Sequence, residues 1–128
     1  MREIIICLII VSVIISLDVI MQNYTKESTD EVIRELEQLN DNIKLQKSNQ
    51  IDLKEESISI KEKWKEKYSK LAYYIEHNEL EKVETEITSI ISYIETGEYN
   101  LALERIEVNI FILKHIKDKY QLSFDNIF

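Results

Sequence analysis

Apolar residues follow two regimes along this chain. From Ile4 to Met21 they are nearly continuous, with thirteen of eighteen positions Ile, Leu or Val. At about 1.5 Å per residue that run spans about 27 Å, close to the hydrocarbon thickness of a bilayer. Each such side chain favours insertion by about 0.3–0.6 kcal/mol, whereas a mid-membrane Asp opposes it by about 3. Asp18 lies near the distal end, within reach of headgroups, so the run predicts a transmembrane anchor.

Beyond Met21 the apolar positions recur every three or four residues, the spacing of one helix face. Val32, Leu36, Leu39 and Ile43 form a first seam. It continues from the anchor, with Asn23-Tyr24-Thr25 or Ser28-Thr29-Asp30 as places for a kink or a fresh cap. Its polar flank makes it a stalk or outer helix. A break at Ser48-Asn49-Gln50 precedes a second helix, with Asp52 as N-cap and Glu55 completing a capping box. Leu53, Ser57, Ile60, Trp64, Tyr68, Leu71 and Ile75 line its face.

His77-Asn78 ends that helix, and Asn78 with Glu81 caps a third, whose seam is Leu80, Val83, Ile87, Ile90 and Ile94. Gly97 closes it, as glycine does where the backbone turns left-handed. The fourth helix carries Tyr99, Ala102, Ile106, Ile110, Leu113, Ile116 and Tyr120, with a second stripe of Leu101, Val108 and Ile112. A helix apolar on two faces touches two neighbours or a partner, so this one is expected at the centre.

The predicted fold is all-α: an N-terminal transmembrane helix continuing into a stalk helix, then an antiparallel three-helix bundle. Residues 1–3 form a short cytoplasmic tail, 4–21 the anchor and 22–50 the stalk or outer helix. Residues 51–128 form the helical bundle with an apolar C-terminal tail. Composition agrees, because zero Pro and one Gly leave little chemistry for hairpin turns.

A cleaved signal peptide is the alternative for the first segment. No Ala-x-Ala-like site follows the run, which ends Ser16-Leu17-Asp18-Val19, and Cys7 stands too early to be a lipidation cysteine. An uncleaved anchor is expected. Arg2 on one side against Lys26 and Arg34 on the other does not decide orientation by charge. The commoner arrangement puts the N-terminus inside and the domain outside the cell membrane.

The chain carries 16 Lys and Arg against 24 Asp and Glu, a net charge of −8. That acidity argues against nucleic acid or an anionic membrane surface as a partner of the domain. Lys61, Lys63, Lys65, Lys67 and Lys70 surround Trp64, but Glu62 and Glu66 alternate with them, so a solvated, internally paired face is expected. Opposite them, Glu76, Glu79, Glu81, Glu84 and Glu86 make the third helix acidic, a complement for an antiparallel neighbour. The histidines His77 and His115 form no metal-ligand spacing, and no cofactor is implied. No phosphate loop or nucleophile–base pair occurs, so the chain is not expected to be an enzyme.

Gly97-Glu98-Tyr99-x-x-Ala102 resembles the interhelical turn of tetratricopeptide repeats, but no 34-residue period recurs, which leaves local hairpin chemistry. More of the chain bears on a second resemblance. The apolar run, Trp64, the turn Ile75-Glu76-His77-Asn78-Glu79-Leu80 and the closing Leu122-Ser123-Phe124-Asp125-Asn126-Ile127-Phe128 resemble a domain-of-unknown-function family. Its members are short, single-anchor helical membrane proteins of low-GC Gram-positive bacteria. The resemblance implies an anchored helical domain, with no established activity and no site residues.

The function expected is therefore that of a non-enzymatic accessory or adaptor, held in the membrane by Ile4 to Met21 and binding another membrane or envelope protein. Trp64, Tyr99, Phe111, Phe124 and Phe128 are the candidate interface or core anchors; the aromatics of the tail either plug the bundle or dock on a partner. Two other readings stand beside it. One is a self-associating bitopic coiled-coil protein that pairs Val32, Leu36, Leu39 and Ile43 between chains. The other is an extracytoplasmic ligand-binding or sensor module, its small-molecule ligand unknown.

Overall fold

The computed structural model describes residues 1–46 and 49–125, with side chains up to Gln121. It consists of four helices: α1 (Arg2–Lys44), α2 (Gln50–Leu71), α3 (His77–Glu95) and α4 (Tyr99–Asp125). Among the described residues there is no strand.

Helix α1 runs unbroken for 43 residues. No kink or new cap intervenes at Thr25 or at Ser28-Thr29. The hydroxyl of Thr25 donates to the Met21 carbonyl at 2.9 Å, and that of Thr29 to the Thr25 carbonyl at 2.8 Å. Bonded back onto their own helix, these hydroxyls can be buried without loss. Thr25, Ser28 and Thr29 are indeed buried, in line with Val32, Leu36, Leu39 and Ile43.

The caps differ from the sequence expectation by a few residues. Asn49, and not Asp52, caps α2: its side chain accepts the Asp52 N–H at 2.9 Å. Ser48 of that break, with Lys47 before it, lies outside the described residues. Helix α2 stops at Leu71, earlier than His77, and Asn78 lies within the first turn of α3 without capping it. Gly97 does close α3, with φ +74°. The Glu98 N–H reaches the Tyr93 carbonyl at 2.8 Å and the Gly97 N–H the Ile94 carbonyl at 3.1 Å, the paired bonds of a Schellman turn. The Gln50 side-chain amide adds bonds to the Ile94 and Glu95 carbonyls, tying α2 to that helix end.

Each helix packs against two others. The backbones of α1 and α3 each run close beside those of α2 and α4, while among the described residues the diagonal pairs α1–α3 and α2–α4 have no such close backbone approach. The four helices run up and down in turn, and the part of α1 beyond Met21, expected as a stalk or outer helix, packs beside α2 and α4. This arrangement removes α4 from the centre, since every helix has two neighbours. The seam Val32, Leu36, Leu39 and Ile43 is consumed within the chain, being at most 7% exposed, which leaves no such stripe to pair between copies.

The charged stripes find partners other than each other. Lys63 and Lys67 of α2 pair with Glu35 and Glu31 of α1. Glu79 and Glu86 of α3 pair with Lys119 and Arg105 of α4. Lys117 of α4 meets Asp30 of α1 at 2.8 Å, fixing the antiparallel register of those two helices.

On α4 one buried position breaks the apolar pattern. Asn109 is fully buried on α4, and neither its amide nitrogen nor its oxygen has a hydrogen-bond partner. An unmet buried amide opposes folding by about 1–3 kcal/mol. Asn109→Leu is therefore expected to stabilise the bundle by about that amount, read as a raised urea midpoint in far-UV circular dichroism.

Candidate functional site

The residues singled out in the sequence do not share a surface. Trp64 is fully buried and belongs to the core. Tyr99 is half-buried at the end of the bundle remote from the apolar run. It lines a cleft with Ile43, Gln46, Asn49, Leu53 and Leu103, which borders the undescribed Lys47-Ser48. Phe111 stands on the outer face of α4, 72% exposed. The Phe124 side chain and all of Phe128 lie outside the described residues.

Around Phe111, the second stripe of α4 is only partly used. Val108 and Ile112 are half-buried, whereas Leu101 is 41% exposed. On its own face of α4, Phe111 has Val108 one turn before it and Glu107, Lys114 and His115 as its other near neighbours, so the exposed ring is the apolar centre of a largely charged face.

A second feature was not picked out from the sequence. Of the seven tyrosines, Tyr24, Tyr68, Tyr73, Tyr74 and Tyr120 gather where the bundle meets the end of the apolar run. The Tyr74 hydroxyl donates to the Met21 carbonyl at 2.6 Å and also contacts the Thr25 hydroxyl. The rings of Tyr74 and Tyr120 meet edge to face at 6.3 Å. Tyr120 donates to Glu79 at 3.1 Å and accepts the Glu76 N–H at 3.2 Å, so it closes the uncapped start of α3. Tyr68 shares a 2.6 Å hydrogen bond with His77 Nδ1, and the Lys70 ammonium lies 5.4 Å from the Tyr24 ring centre. Tyr73 alone points outward, 83% exposed. The Tyr73-Tyr74 pair at the α2–α3 connection was the available signal.

Burial, reinforced by the neighbouring phenols Tyr24 and Tyr120, pushes the Tyr74 pKa up to about 12. Burial also raises Tyr120 and Tyr68. Burial works on Glu79 in the same upward direction, but hydrogen bonds from Lys119 and Tyr120 outweigh it and hold the carboxyl below its ordinary value. For the phenols the linkage has one sign. Below pH 10.0 they keep their protons folded or unfolded; above it the unfolded chain ionises first, while Tyr74 stays neutral until about 12. The thermal midpoint is expected to fall across that window, and Tyr74→Phe to flatten the decline.

Among the described residues no three His, Cys, Asp or Glu side chains come together as a metal site. Within the same residues one helix, α1, is long and apolar enough to cross a membrane, with a window of mean hydropathy 3.1 and none of that window buried by the fold.

A family described as a domain of unknown function, DUF4363, matches residues 19–127. The chain belongs to that family. The match covers the whole bundle together with the tyrosine cluster and the α4 face. No curated protein and no solved structure is detectably similar to the chain.

Proposed function

We propose that this protein is a single-pass membrane adaptor. Ile4 to Met21 crosses the cell membrane with the N-terminus inside, and the bundle presents the Phe111 face of α4 to another membrane or envelope protein. The observation that carries the reading is the split character of α1. Its apolar window has no cover from the fold, while one face of the rest of the same helix is buried in the bundle. A bare aliphatic helix of that length is not stable in water, and a bilayer is the cover that fits its length.

The bond from Tyr74 to Met21 supports retention of the anchor, because it clamps the bundle to the end of the run. The bias toward Ile, Lys, Glu and Asn fits an AT-rich bacterial coding genome. A tether of this kind raises the effective concentration of the bundle near a partner in the same membrane.

Extraction of the full-length protein from its own membranes in mild detergent tests the proposal, with mass spectrometry of the intact chain and of its companions. An uncleaved chain of 15.3 kDa with a stoichiometric membrane protein, released by Phe111→Glu, is the expected result. A solitary monomer would overturn the adaptor reading, and a chain shortened at its N-terminus would overturn the anchor.

A further inference from the structure

We infer that the base of the bundle rests on the headgroup layer of the bilayer that holds α1, with Tyr73 seated in it. The inference deepens the anchor reading and depends on it. Helix α1 is continuous, so the depth of every residue near Met21 follows from the helical rise. With Met21 at the hydrocarbon boundary, Thr25 stands about 6 Å beyond it, and each interfacial layer is itself about 5–7 Å thick. Tyr74 touches both Met21 and Thr25, which brings the α2–α3 connection into that layer.

The other ends of the bundle reach the same level. Lys117 faces Asp30, and eight residues further on, about 12 Å, α4 ends at Asp125, abreast of Gln22. No spacer remains between bundle and membrane.

The chemistry of this base fits lipid. Tyrosine concentrates where membrane meets water, because its ring prefers the acyl boundary and its hydroxyl the headgroups. Tyr24, Tyr74 and Tyr120 are tied into the fold. Tyr73 is exposed and its hydroxyl has no hydrogen-bond partner among the described residues, at the end of the bundle where a bilayer is already within reach.

Spin labels on the full-length chain in phosphatidylcholine vesicles test this. A label on Cys7 reports the anchor. Labels at Glu76→Cys and Asn100→Cys, in a Cys7→Ser background, report the near and far ends of the bundle, both exposed positions. The expected result is a deep Cys7 label and a Glu76 label several-fold less accessible to a water-soluble nickel relaxant than the Asn100 label. That protection should be lost in Tyr73→Asp. Equal accessibility at the two ends, or protection that survives Tyr73→Asp, would overturn the inference while a deep Cys7 label left the anchor standing. A water-exposed Cys7 label would overturn the anchor reading itself.

Discussion

Trp64→Ala is expected to remove about 3–5 kcal/mol of stability, a large share of the roughly 5–15 kcal/mol that holds a domain of this size. Trp64 is the largest fully buried side chain among the described residues, so its removal opens a void that a close-packed core refills only in part. A urea titration of the full-length protein in mild detergent, followed by far-UV circular dichroism, checks this. Trp64→Phe, which keeps a ring in the site, should lose clearly less. An interface role for Trp64 would instead leave the midpoint unchanged and weaken partner binding.

Leu36→Lys is expected to be at least as damaging, at about 4 kcal/mol or more, because it deletes a buried side chain and brings an unpaired ammonium into the core. Leu36 is 1% exposed, among the other buried residues of α1. The same substitution would dissolve an oligomer without melting its helices if the seam paired between chains. Helicity and sedimentation measured together separate the two. Loss of helix outside the anchor, with no preceding change in assembly state, is the outcome the intramolecular seam requires.

Much of this architecture was legible in the spacing of apolar residues. The faces of α2 and α3 read correctly because Ile and Leu at three- and four-residue steps leave no other period, and Gly97 announced its left-handed turn. The part of α1 beyond Met21 reads from its sequence as a stalk or outer helix for a physical reason. Its inner face near the anchor is built from Thr25, Ser28 and Thr29, polar types that look like caps or solvent-facing positions. The backward hydrogen bonds of Thr25 and Thr29, absent from any sequence pattern, let those hydroxyls sit in the core. The charged stripes were located correctly but assigned to the wrong neighbours, since composition along one helix does not say which of two adjacent helices receives each side chain.

The candidate surfaces were less readable still. Phe111 and Trp64 are both aromatic residues amid helical periodicity, and only packing tells the exposed one from the buried one. The tyrosine cluster draws on four separate stretches of chain, joined in space by the antiparallel register.

The unhinged course of α1 has a mechanical consequence. For a chain anchored as proposed, membrane segment and bundle form one lever pivoting in the bilayer. Lys44 stands 23 residues past Met21, about 35 Å, so each additional 10° of helix tilt swings the remote tip sideways by about 6 Å. A thinner bilayer tilts such a segment further. The thickness of the membrane would thereby set the direction in which the Tyr99 cleft points.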